Sequence, residues 1–459
     1  MVEIPTIPID KYIEIRELMK KAYLADSRPW IVGFSGGKDS TLVTQLTFSM
    51  LMSLPPEDRK KEVHIITSDT LVETPLIQTR IKKIHEDMKQ TVEQFNLPIK
   101  VALIEPSINE TFWVNLIGRG YPSPNKWFRW CTDRLKIRPA TRYIYDQVKV
   151  NGEVIIVLGT RSAESATRAQ SMKKHKIKGI QFRKHEIQGA FVFSPIEGLD
   201  NAMTWSCLRS VSSPWGGNNA ELENLYRKAD KECPMVVDDS SESCGGSRFG
   251  CWVCTVVKKD RSVEGLIEDG EEWLQPLLDF RNWLHEIRDD KTKREETRKI
   301  VRKSRWMAEY FGEENFKDER KGHDVLGPFT FETRLEILEK LLKLQDEMND
   351  HNLTLILPEE ITAIETLWAY DGGPTSALME LLSGHSNSTF SNNTLGDTKL
   401  RMILAEICAK ENFPIDLMEN LLIAENDLSA LSRKHGSLSK LEMVIQNYLE
   451  MQAIKGGGR

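Results

Sequence analysis

An α/β fold with a parallel sheet covered on both faces, followed by a mainly helical C-terminal region, is what the sequence predicts. Short β-branched runs, WIVGF at 30–34, VHIIT at 63–67, KVALI at 100–104 and VIIVL at 154–158, have the length and continuous apolarity of strands buried on both sides. Segments of helical periodicity, including 41–52 and 75–95, separate them, which is the alternation of parallel strands joined by helices. Three of the strands run into polar segments: SGGKDS at 35–40, SDTLVETP at 68–75 and GTRSAESATR at 159–168. Ligands of such sheets lie beyond the carboxyl ends of the strands, so these three segments are expected to converge on one crevice.

The first element carries the most information. A glycine-rich bend between a strand and a helix aims backbone N–H groups and the positive end of the helix dipole at one spot, a seat for phosphate. A Walker A loop is excluded, because Val32 stands where its first glycine belongs and Asp39, not Ser or Thr, follows Lys38. A GxGxxG dinucleotide motif is absent as well. In SGGKDS, Gly36 and Gly37 permit close backbone approach and Ser35 and Ser40 offer hydroxyls. Lys38 can neutralise phosphate, and Asp39 can hold Mg²⁺ or orient the loop. The alternative is a plain strand-to-helix turn capped by Asp or Ser.

Beyond 158 the regular alternation is expected to end, since 171–190 is basic and irregular and 193–218 contains Pro195, Pro214, Gly216 and Gly217. From about 265 onward the pattern is helical, as in TRLEILEKLLKLQDEM at 333–348 and LSKLEMVIQNYLEM at 438–451, with a polar loop at 383–397. Three domains follow: 1–225 around the sheet, 226–265 rich in cysteine, and 266–459, helical. The 459 residues are 40% hydrophobic and 28% charged, with a formal charge of −6, a soluble globular composition without a general basic coat. No apolar run approaches a membrane span and the amphipathic N-terminus is no secretory signal, so a cytoplasmic protein without membrane contact is expected.

Seven cysteines in a reducing compartment do not suggest disulfides. Cys233, Cys244, Cys251 and Cys254 fall in a C-x10-C-x6-C-x2-C pattern, which suits a tetrahedral zinc site or an iron–sulfur cluster; the spacing does not choose between them. Cys207 and Cys408 read as ordinary packed thiols. Cys131 sits among Lys126, Arg129 and Arg134, cations that would lower its pKa and favour thiolate chemistry, with a packed thiol as the alternative. The basic runs 173–185 and 291–306 are candidate DNA contacts or solvated faces.

SGGKDS resembles the pyrophosphate loop of the ATP pyrophosphatases, an adenine nucleotide alpha hydrolase-like superfamily. WCTDRLKIRP at 130–139 and GTRSAESATR resemble segments of its phosphoadenylylsulfate reductase branch. With CGGSRFGCWVC at 244–254 added, residues 10–270 resemble the DndC family of ATP pyrophosphatases of bacterial DNA phosphorothioation; a related Ssp-type system has a similar protein. The resemblance implies cleavage of ATP to AMP and pyrophosphate, adenylation of a DNA backbone phosphate, and replacement of a non-bridging oxygen by sulfur. A cysteine desulfurase as sulfur donor and other DNA phosphorothioation (Dnd) proteins are the implied partners. ATP and Mg²⁺ would be held by Ser35, Gly36, Gly37, Lys38, Asp39, Ser40, Asp69, Gly159, Arg161, Glu164 and Arg168, with Lys38, Asp39 and Cys131 in catalysis. A 4Fe-4S cluster, with zinc as the lesser alternative, would be held by Cys233, Cys244, Cys251 and Cys254.

Other readings share the nucleotide crevice. A sulfonucleotide reductase normally has a late ECGLH-like tail and often a Cys-Cys pair; that tail is absent here and Trp130 stands in the first place of the pair. A tRNA thiolase usually carries CxxC within its nucleotide domain, whereas the only CxxC here is Cys251 to Cys254. A non-catalytic iron–sulfur DNA-binding scaffold is the third alternative.

Overall fold

The computed structural model describes residues 9–164, 182–230, 250–295, 326–384, 398–429 and 437–456. Strands β1 (Trp30–Gly33), β2 (Val63–Ser68), β3 (Ile99–Ile104), β4 (Val154–Val157), β5 (Arg183–Lys184) and β6 (Ala190–Phe193) form one sheet in the order β3-β2-β1-β4-β6-β5. Neighbours run parallel except β5, which is antiparallel to β6. The sheet therefore continues past the point where the sequence pattern loses its regularity. β6 is only four residues, AFVF, and pairs with β4 from Val154↔Ala190 to Val157↔Phe193. The stretch expected to be irregular also holds the helix Asn201–Ser210, whose N-cap Asp200 accepts a hydrogen bond from Met203 N at 2.7 Å.

Both faces of the sheet are buried, which explains the uninterrupted apolar runs. Trp30 and Val32 enter one core with helices α1 (Ile9–Leu24), α2 (Lys38–Ser53), α3 (Pro75–Gln94) and Asn201–Ser210. Ile31, one residue out of phase, enters the opposite core with Ile66, Ile104, Ile156 and Ile144 of the helix Arg138–Asn151. Cys207 packs in the first of these cores, and Cys408 is buried elsewhere, both as simple small apolar groups. β2 and β3 lie to one side of β1 and β4 and β6 to the other, so the strand order reverses between β1 and β4. A crevice opens at such a switch point, beyond the carboxyl ends.

The described residues divide between two compact units, one drawn from Met1–Ser107 and Lys126–Leu278, the other from Ile108–Asn125 and Asp279–Arg459. In the second, helices Phe331–Met348, Pro358–Asp371, Thr375–Gly384, Thr398–Lys410, Ile415–Ser429 and Ser437–Gly456 account for most residues. The stretch 108–125 joins this unit through buried groups: Trp113 Nε1 donates to Leu355 O at 2.6 Å and Trp368 Nε1 to Ile117 O at 3.0 Å. Arg334, 3% exposed, donates to Phe329 O at 2.8 Å and Gly118 O at 3.2 Å. Because two carbonyls far apart in the chain depend on this one buried guanidinium, Arg334→Ala is expected to destabilise the protein by about 3 kcal/mol, read as a lower urea midpoint. An unchanged midpoint would show that these carbonyls find other donors. No described helix is long and apolar enough to cross a membrane.

Candidate nucleotide and thiol site

SGGKDS sits at the switch point. Phe34 N still donates to Ile66 O of the sheet, and the chain turns at Gly36, whose φ of 72° is left-handed, into Gly37, the N-cap of α2. Gly37 supplies no side-chain cap, which leaves the α2 terminus open to an external acceptor. Inside the bend, Ser40 Oγ accepts from Ser35 N at 3.1 Å and donates to Gly37 O at 3.0 Å, while the Ser35 and Ser40 hydroxyls lie 3.1 Å apart. The two serines thus brace the loop. Arg80 of α3 donates to Gly36 O at 3.3 Å. Tyr226, from the helix Asn219–Asp230, places its hydroxyl 3.3 Å from Lys38 N, with the Lys38 ammonium 5.6 Å from its ring centroid.

The facing wall follows β4. A Cβ on Gly159 would lie 2.7 Å from the Asp39 carbonyl and 2.9 Å from Ser40 N, so glycine here is what lets the two segments touch. Arg161, 5% exposed, brings Nε within 2.7 Å of Asp39 Oδ1, and Lys38 Nζ lies 3.4 Å from Asp39 Oδ2. The Arg161 contact is an ion pair without hydrogen-bond geometry. Buried Asp39 Oδ1 accepts no hydrogen bond among the described residues.

The third wall follows β2. Asp69 accepts from Leu71 N at 2.8 Å and from Gln78 Nε2 at 3.2 Å, fixing a turn in which Leu71 takes φ 63°. That turn presents residues 72–74 to the cysteine segment, and the two backbones zip together. Trp252 N donates to Val72 O at 3.0 Å, Thr74 N to Gly250 O at 3.2 Å, and Glu73 bridges antiparallel to Cys251. Trp252 and Val253 are buried, 4% and 1% exposed, and root the CxxC turn, in which Cys254 N donates to Cys251 O.

Cys251 Sγ lies 3.2 Å from the Thr70 hydroxyl and 3.9 Å from Glu73 Oε1, and Lys136 Nζ reaches the same Glu73 oxygen at 3.2 Å. Burial and the Glu73 charge push the Cys251 thiol far up. Burial alone would lower the Lys136 ammonium, but Cys251 and Glu73 overcome it and hold its pKa up. Cys131 joins this group. Burial first, then the charge of Cys254, pushes its thiol up to about 11, while Thr132 and Lys136 pull the other way and lose. This corrects the expectation that Lys126, Arg129 and Arg134 would depress it.

Ser35, Gly36, Gly37, Lys38, Asp39, Ser40, Gly159 and Arg161 are therefore brought together, with the Asp69 turn as a further wall carrying Cys251. Glu164 ends a short turn, Ser162–Glu164, but its side chain lies outside the described residues, as do Arg168, Cys233 and Cys244. Most of the basic runs 173–185 and 291–306 lies outside them too. Among the described residues, no group of three or more His, Cys, Asp or Glu side chains is arranged as a metal site. Arg80, Tyr226, Thr70, Glu73 and Lys136 escaped the sequence reading. Glu73 and Lys136 stood inside the quoted motifs without a spacing signal; Arg80 and Tyr226 reach the loop from helices with no motif. A separate cavity of about 570 Å³ opens at the amino ends of the strands, where Lys61 and Lys100 are already paired with Asp26 and Glu62.

A mostly parallel α/β sheet with a glycine loop at its switch point and basic groups around it is the fold of the nucleotide alpha hydrolase type. Residues 29–257 match the family model of the phosphoadenosine phosphosulfate reductase domain, to which this part of the chain is similar. An uncharacterized protein of Methanocaldococcus jannaschii is 24% identical over 240 residues, which is 52% of this chain and 39% of that relative. The match therefore spans well under two thirds of that protein's length. Among solved structures, phosphoadenylyl-sulfate reductase from Candida auris, as a phosphate complex, is 15% identical, with 48% of this chain and 91% of that one covered and a TM-score of 0.29. The U34-tRNA thiolase NcsA from Methanococcus maripaludis, with its 4Fe-4S cluster, is 12% identical, with 60% and 80% covered and a TM-score of 0.28.

Proposed function

We propose that this protein is an ATP pyrophosphatase and sulfurtransferase of DNA phosphorothioation. The observation that carries the reading is that a phosphate-seating loop and a group of thiols line one end of the same sheet, joined through the turn 69–74. The DNA substrate, the cysteine desulfurase donor and the Dnd partners rest on the motif resemblance. In the reaction, a non-bridging oxygen of a DNA phosphate attacks the α-phosphorus of ATP and pyrophosphate departs. Gly36 and Gly37 let it approach the α2 terminus and Lys38 offsets its charge. A reduced sulfur atom then attacks the DNA phosphorus and AMP leaves with the original oxygen. The protein's part in the first step is placement and charge neutralisation. Asp39, whose carboxylate now faces Arg161 and Lys38, would be the residue to hold a hard cation such as Mg²⁺ beside the phosphates.

The donor set at the other wall is soft. Cys251 and Cys254 belong to the C-x10-C-x6-C-x2-C pattern and, with Cys233 and Cys244, would supply four thiols suited to an iron–sulfur cluster, near Cys131 and the cation Lys136. When bound, such a cluster would supply a means of holding sulfur for transfer. In this reading Cys131 stands near the ligands and, its thiol held up by burial, is not a freely reactive thiolate.

The test is anaerobic reconstitution with ATP, DNA and a sulfur donor, following pyrophosphate release and phosphorothioate dinucleotides by mass spectrometry. Pyrophosphate release that equals the parent's in a Ser35→Ala/Asp39→Ala variant would remove the catalytic assignment. Dinucleotides without sulfur in the complete system would remove the phosphorothioation reading. Tyr226 adds a further expectation. Its hydroxyl occupies the Lys38 N–H that a phosphate oxygen needs, so Tyr226→Phe is expected to bind a nonhydrolysable ATP analogue about threefold more tightly by calorimetry. Weaker binding would show instead that the hydroxyl contacts the nucleotide.

A further inference from the structure

Trp127 is 90% exposed, more than any other large apolar side chain among the described residues. It is not on a trailing segment. Trp130, three residues on, is fully buried and roots the turn that presents it. The surrounding stretch 126–142 carries six cations, Lys126, Arg129, Arg134, Lys136, Arg138 and Arg142, against one carboxylate, in a chain whose formal charge is −6. That carboxylate, Asp133, is already held by Arg138 at 2.8 Å. Lys126, Arg129, Lys136, Arg142 and Ile137 of the same stretch are exposed too. Lys136 connects this surface to the thiols through Glu73, 3.2 Å away, which in turn bridges to Cys251.

We infer that the segment 126–142 is the seat of a single DNA strand, with Trp127 stacking on an unpaired base and the flanking cations tracking the phosphates. The inference rests on the proposed function for the identity of the nucleic acid and deepens it. A solvent-facing indole in a cation-rich segment matches the two needs of a single strand, a π face for an unstacked base and positive charge for its backbone. A duplex buries its base faces in its own stack and offers Trp127 nothing to stack on. The seat leads towards the thiols, so a strand lying on it brings its phosphodiester to the wall where sulfur is delivered. Stacking reads no sequence, so this surface sets strandedness and position.

The test uses the full chain and fluorescence anisotropy with labelled oligothymidylate, the corresponding duplex and oligouridylate. Trp127→Ala is expected to weaken oligothymidylate binding about tenfold and duplex binding little, while Trp127→Phe stays within about threefold of the parent. Removing Lys126 and Arg129 together is expected to flatten the salt dependence of log K by about 1.4. Affinity for a nonhydrolysable ATP analogue stays at the parent's value in all three, which reports an intact fold. Oligothymidylate binding that survives Trp127→Ala, a Phe variant as damaged as the Ala variant, or a preference for the duplex or for RNA would each overturn the inference. Loss of phosphorothioate formation in a parent protein whose strand binding still depends on Trp127 would strike the proposed function and leave this surface standing.

Discussion

Gly159→Ala is expected to reduce ATP-dependent pyrophosphate release about 100-fold in a chain that still folds. The methyl group would stand 2.7 Å from the Asp39 carbonyl atoms and 2.9 Å from Ser40 N, distances no Cβ tolerates. Those atoms are backbone of the first turn of α2, so relief comes only by moving the loop and its facing wall apart. Placement is what this site contributes to the chemistry, and a displacement of about 1 Å in a positioned site costs on the order of 100-fold. The same shift would stretch the Arg161 to Asp39 ion pair. Gly198→Ala serves as the control, because a Cβ there meets nothing within 4 Å. A coupled pyrophosphate assay reads both variants, and a Gly159→Ala protein within a few-fold of the parent would show that the GTR segment does not form the crevice wall.

Cys254→Ser is expected to release iron from the anaerobically reconstituted protein about tenfold more readily against a chelator. Burial and the neighbouring Cys254 hold the Cys131 thiol up at about 11, so at neutral pH it is protonated. A persulfide carrier at Cys131 would behave differently: in Cys131→Ser, iron content would match the parent while sulfur transfer to DNA was lost. Iron and sulfide analysis, beside the visible absorption of the cluster, separates the two roles without relying on turnover.

The strands β1, β2 and β4 were legible because each is buried on both faces, so its composition alone announces it, and the edge strand β3 still carries a β-branched run. The loop was legible because Gly-Gly between a strand and a helix has few other uses. β6 was not, since AFVF is too short for a periodic signal and gains its stability from its neighbour β4. The fate of 108–125 was hidden too, because Trp113 finds its acceptor 242 residues away. Within the site, Gly159 and Arg161 were read from a motif, whereas Arg80 and Tyr226 approach the loop from helices whose sequences say nothing of it.

By itself, then, the sequence determined the parallel sheet, the glycine bend between β1 and α2 and the residues at the strand ends, because these follow from local composition and from the direction in which strands point their ends. Only the tertiary structure decided which thiols are neighbours. Cys131 and Cys251 are 120 residues apart in the chain, and they meet because the Asp69 turn zips onto the cysteine segment while Trp252 and Val253 bury themselves beneath it. Such a pairing arises from backbone hydrogen bonds and packing between distant segments, which no spacing along the chain encodes.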